Sequence, residues 1–175
     1  SDDVYASLQF DILDFAATPT IEGFDKEDKE VADSFTDEGT LEEFDSLVIS
    51  GENYPEAISI YPNDDEKLSD YYAYIIKTPQ LRLAQKLENI TPLFENGITT
   101  SGAYSYDVTS ASLKKAGLDK PDMQIKMQIG KSSVTFKIKQ QEDGDYAVIS
   151  DNSPVVYRVT ASVLGEIARY KTNDY

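Results

Sequence analysis

The 175-residue chain carries a formal net charge of −16 and contains neither histidine nor cysteine. That balance argues against nucleic acid and anionic membrane surfaces, which need a basic face to displace counterions. The missing residue types exclude a Ser-His-Asp triad, a His- or Cys-ligated zinc site, a thiolate nucleophile and a disulfide framework.

The length suits one domain, with or without a fragment of a neighbour. No apolar run approaches the roughly 20 residues of a membrane span, and no signal-peptide pattern precedes Val4. A membrane anchor or export signal, if the full protein has one, is expected to lie outside this sequence. Most of the carboxylates read as solvated surface.

In chain order, residues 4–20 combine a short β-prone start with Phe10, Ile12, Leu13, Phe15 and Ala16 clustered on one side of a helix. Residues 1–21 are therefore expected to be the tail of a preceding module or a helix packed on the main domain. The echo between "VYASLQFDILDFA" and "VYRVTASVLGEIA" at 156–168 favours the tail. Residues 22–44 concentrate acids with few apolar positions and read as an acidic linker or loop.

From residue 45 the pattern is that of a complete module. "SLVIS", "EAISIY" and "YYAYIIK" predict three antiparallel strands. Leu81, Leu83, Ala84, Leu87, Ile90 and Phe94 then recur at near-helical spacing, predicting a helix over 80–94, kinked at Pro92, with its leucine face on the sheet. "TSASLKKAG" predicts a shorter helix, capped by Thr109 or Ser110 and stopped by Gly117 in the left-handed conformation. Pro121 then turns the chain toward a strand.

The clearest alternation follows. "MQIKMQIG" places Met123, Ile125, Met127 and Ile129 on one face, and "SVTFKIK" places Val134, Phe136 and Ile138 likewise. Gly130-Lys131 and Asp143-Gly144 read as two-residue hairpin turns, "YAVIS" and "VVYRVT" as strands, and "SVLGEIARY" as a closing helix. The expected class is α+β: antiparallel β-meander sheets flanked by helices.

The succession "LVISG", "AISIY", "YAYIIKTP", "LKKAGLDKP", "MQIKMQIG", "VTFKIK" and "DYAVISDNSPVVYRV" resembles the DUF4340 family of bacterial domains over about residues 45–170. The resemblance implies an extracytoplasmic, envelope-associated protein with an N-terminal membrane anchor and several copies of the module. Some such proteins are encoded beside ABC-type export systems linked to gliding motility, so the resemblance also implies a role accessory to a transporter of that type. It implies no catalytic residue and no cofactor.

The residues themselves point to binding rather than chemistry. Tyr54, Tyr61, Tyr71, Tyr72 and Tyr74 are candidates for an aromatic surface facing a protein partner, a neighbouring module or a glycan. In "YYAYIIK", alternation puts Tyr72, Tyr74 and Ile76 on one face. A carboxylate-dependent glycoside hydrolase would need two of Asp64, Asp65, Glu66, Asp70, Asp143 and Asp145, all in apparent turns. "NDDE" and "EDGD" offer oxygens to calcium, but neither has EF-hand spacing. The expected function is a non-catalytic interaction or scaffold module.

Overall fold

The computed structural model describes residues 19–175 except Lys86 and Asn152. The helix expected over 10–16, most of the 1–21 segment and the first half of the internal echo lie outside the described residues.

Strands β1 (Thr20–Ile21), β2 (Ser46–Ser50), β3 (Ile58–Pro62), β4 (Tyr74–Thr78) and β5 (Arg82–Leu83) precede helix α1 (Thr91–Asn96). Next come β6 (Ile98–Thr99), β7 (Gly102–Ser105), α2 (Ser110–Lys115), β8 (Met123–Ile129) and β9 (Ser132–Gln140). The chain closes with β10 (Tyr146–Ser150), β11 (Val156–Val159) and α3 (Ala161–Leu164). Nine strands form one antiparallel sheet in the order β5-β4-β3-β2-β8-β9-β10-β11-β7, and β1 pairs with β6 apart from it. The architecture is α+β and β-dominated, with two meanders joined along β2 and β8.

Alternation decides which face is buried. Leu47, Ile49, Ile58, Ile60, Ile76, Met123, Ile125, Met127, Phe136 and Ile138 all point to the inner face and are at most 1% exposed. Ile21 and Ile98 from β1 and β6, Leu93 and Phe94 from α1, and Leu164 and Ile167 from the C-terminal segment close over them. The acidic stretch 22–44 is loop apart from a single 3-10 turn, and it joins the same core through Phe24, Val31 and Phe44. Its carboxylates stay at the surface while its few apolar residues anchor it, as periodicity alone could not reveal.

Two turns explain how the second meander is built. At the end of α2 the Gly117 N–H donates to the Lys114 carbonyl at 3.1 Å and the Leu118 N–H to the Leu113 carbonyl at 2.8 Å. With Gly117 at φ +73 this is a Schellman stop, whose Leu113 and Leu118 pack together. Thr109 is the N-cap: it accepts from the Ser112 N–H while Ser112 Oγ accepts from the Thr109 N–H. The helix so bounded lies on the outer face of the sheet, where Ala116 and Leu118 cover Ala147 and Val156 in a second small core.

Four expectations need correction. The helix over 80–94 is instead the edge strand β5, a 3-10 turn at Leu87–Asn89 and the short α1, with Leu81 71% exposed. Pro92 lies in the first turn of α1, the only place where its missing N–H and fixed φ are harmless, so it starts a helix rather than kinking one. The closing helix breaks after Leu164 into a 3-10 turn at Ile167–Arg169.

The Asp143-Gly144 hairpin is also longer than two residues. Gln141 N–H donates to Asp145 O at 2.8 Å and Gly144 N–H to Gln141 O at 3.0 Å, leaving Glu142, Asp143 and Gly144 as the loop. Gly144 at φ +91 supplies the left-handed residue that a three-residue loop requires. Gly130-Lys131 is a two-residue loop as expected, closing Ile129 onto Ser132.

Candidate functional site

The five tyrosines do not form one surface. Tyr54, in the turn after β2, is 4% exposed; its hydroxyl lies 2.9 Å from the Tyr170 carbonyl and 3.0 Å from the Tyr175 hydroxyl. Having one proton, Tyr54 donates to the carbonyl and accepts from Tyr175. Burial pushes both phenols above their ordinary range. Tyr74 stacks on Phe44, with ring centres 4.1 Å apart and planes within 5°, and accepts from the Phe44 N–H at 3.2 Å. Both residues belong to the inner side.

Tyr71 and Tyr72 fall short of β4, in a turn where the Tyr71 and Tyr72 N–H groups donate to the Leu68 carbonyl. The expected alternation therefore begins only at Tyr74. Tyr71 is 79% exposed and Tyr72 44%. Tyr61 alone stands on the outer face of the sheet, under the Lys77 ammonium at 4.9 Å from its ring centre.

The acidic candidates are committed to turns and ion pairs. Asp65 accepts from the Lys67 N–H at 2.9 Å, and Asp143 accepts from the Asp145 N–H at 3.1 Å. Arg158 reaches from β11 to both Asp143, at 2.6 Å, and Asp145, at 2.9 Å. The backbone donor and the guanidinium together hold the Asp143 carboxyl below its usual range. The "EDGD" turn thus already holds a cation, and Asp145 also accepts from the Ala161 N–H at 3.3 Å. No group of three or more acids among the described residues is arranged to hold a metal ion.

A cleft of about 320 Å³ lies between β1 and the β10–β11 turn, lined by Ile21, Glu22, Val134, Asp151, Pro154 and Tyr157. Its Asp151 carboxylate accepts from the Thr135 N–H at 2.9 Å. That bond fixes the turn against β9.

The outer face is the distinctive surface. Because β2 pairs with β8, the outward residues of both meanders stand in continuous rows: Thr135–Lys126–Val48–Ser59, and beside it Lys137–Gln124–Ser50. Tyr61 faces Ile75 on the neighbouring pair, with Lys77 beyond. Lys77, Lys126 and Lys137 are exposed, whereas Val48, Tyr61 and Ile75 are half-buried. The strand positions of this face in β2, β3, β4, β8 and β9 hold no acid. At its rim Asp122 and Glu52 are taken up by Lys139 at 2.7 and 2.6 Å, and these two hydrogen bonds raise the Lys139 pKa.

The alternation of "MQIKMQI" marks Lys126 as outward, but only the β2–β8 pairing brings it beside Val48 and toward Lys77. No local pattern encodes that pairing. Comparison with family models, curated proteins and solved structures found no match.

Proposed function

We propose that the chain is a non-catalytic interaction module that binds a protein partner on the open part of its outer sheet face. The observation that carries this reading is the presence on one sheet face of three exposed lysines, Lys77, Lys126 and Lys137, with half-buried Val48, Tyr61 and Ile75, in a chain of net charge −16. The half-buried apolar and aromatic groups offer a protein partner contact area, and the lysines beside them steer a complementary acidic surface onto it. The dispersal of the five candidate tyrosines over two faces and a turn supports a protein over a glycan, which would need adjoining aromatic rings. Placement in the bacterial envelope, outside the cytoplasm and behind a membrane anchor, rests on the resemblance to DUF4340 proteins.

The test is a photo-crosslinking residue placed at position 126, and separately at 66 on the exposed turn after β3, in the native cell. The expected result is a discrete protein adduct from 126 that disappears when Lys77→Glu and Lys137→Glu are added, with none from 66. Equal labelling at both positions, or an adduct indifferent to the lysines, would overturn the reading.

A further inference from the structure

The fixed charge of the chain is unevenly placed. Residues 22–45 contain eleven carboxylates and two lysines, so this one loop carries a net charge of −9 in a chain of net charge −16. The loop folds over the inner side of the sheet, through Phe24, Val31 and Phe44, and reaches the Gly130-Lys131 turn, whose Gly130 N–H donates to Asp45 at 2.7 Å. The exposed lysines of the outer face point the opposite way. The molecule is therefore electrically two-sided across the thickness of its sheet.

The loop also has a tip. Phe35 and Leu41 bridge across it, Thr36 N–H donates to Thr40 O at 2.9 Å, and Gly39 N–H donates to Thr36 O at 2.8 Å. This turn projects Asp37 and Glu38, both exposed, with no hydrogen bond or ion pair from either side chain among the described residues. Lys126 and Lys137 likewise have no ion-pair partner among the described residues. They stand diagonally on β8 and β9, about 7 to 8 Å apart by the geometry of an antiparallel pair. Two neighbouring carboxylates on a turn match that spacing once the long lysine chains extend.

We infer that the occupant of the outer face is a second copy of this chain, which presents its Asp37-Glu38 turn to Lys126 and Lys137, with Val48 and Ile75 supplying apolar contact. The inference rests on the outer face being the docking surface. Because the two complementary patches lie on opposite sides, the contact is head-to-tail and continues from copy to copy unless it closes into a ring. Net repulsion between copies opposes it at low salt. At 0.1 M salt the screening length of about 10 Å suppresses the distant repulsion and spares the contacting pairs.

Analytical ultracentrifugation of the intact chain at 0.1 M salt, from micromolar to millimolar, tests this. Wild type should associate with concentration, and Lys126→Glu/Lys137→Glu and Asp37→Lys/Glu38→Lys should each weaken association at least tenfold. All four positions are exposed, so circular dichroism and melting temperature should stay at wild-type values. Mixing the two variants should restore association, because each then offers the other one native and one doubly reversed contact. A wild type that stays monomeric throughout, or a mixture that stays as weak as its components, overturns the inference. A monomer whose position-126 crosslinker still captures a different protein would leave the docking face standing and remove only the second copy.

Discussion

The two meanders of the sheet are made of similar strands but are protected differently. Around β10 and β11 both faces are covered: Val148 and Val159 lie in the main core, while Ala147 and Val156 lie beneath α2. Around β2 to β4 only the inner face is covered, and Val48, Tyr61 and Ile75 meet solvent in part. An antiparallel sheet tolerates one wet face, so the open half is stable without a lid. The difference separates strands covered on both faces, under a glycine-stopped helix, from strands whose outer face stays open to solvent.

The largest expected effect tests whether the halves are one folding unit. Phe136 is fully buried and packs against Phe94 with ring centres 5.2 Å apart. Phe136→Ala should cost about 3 to 5 kcal/mol, and urea unfolding should remain a single transition. Two separated transitions would split the sheet at the β2–β8 junction.

Next comes the buried hydroxyl group that ties the turn after β2 to the C-terminal segment. Tyr54→Phe removes the buried hydroxyl that accepts from Tyr175 and donates to the Tyr170 carbonyl, and should cost about 1 to 3 kcal/mol. The same phenols set an alkaline limit. Their folded pKa values are raised above the ordinary value of 10.0, so their contribution is complete below pH 10 and is lost as pH climbs through the folded values. Melting temperature followed from pH 8 to 12 should fall beyond about 10, and a flat profile across that range would contradict the burial of Tyr54 and Tyr175.

Gly117→Val should cost about 1 to 3 kcal/mol, since a β-branched residue resists a left-handed backbone and its Cβ would crowd the Lys139 side chain at 3.0 Å. Gly117→Asn should cost clearly less, because asparagine visits that conformation. The smallest effect contrasts the two halves directly. Val156→Ala, under α2, should cost about 1 to 2 kcal/mol, against less than about 0.5 kcal/mol for Val48→Ala on the open face. Equal costs would mean that α2 shields nothing.

Much of this organisation was legible from residue order. The alternation of 123–129 and 134–138, the Gly117 stop and the Gly130-Lys131 turn depend on neighbours, and local pattern suffices for them. Leu81, Leu83 and Leu87 misled because their spacing fits a helix. The open backbone of β4 offered Arg82 and Leu83 a ladder, and Pro92 could enter only a helix's first turn. Tyr54 and Tyr74 looked like surface aromatics, and their burial follows from Tyr175 and Phe44, partners distant in sequence. The lysine face was half visible: Lys126 was outward by alternation, but its neighbours come from a pairing that only the assembled sheet reveals.

That pairing has a kinetic consequence. Each meander can zip by short hairpins, whereas joining Leu47 to Met127 requires closing a long stretch of chain before any contact rewards it. The slow step in folding should therefore be this suture. Leu47→Ala should retard refolding more than Val148→Ala does, and the reverse order in stopped-flow traces would place the nucleus within one ribbon instead.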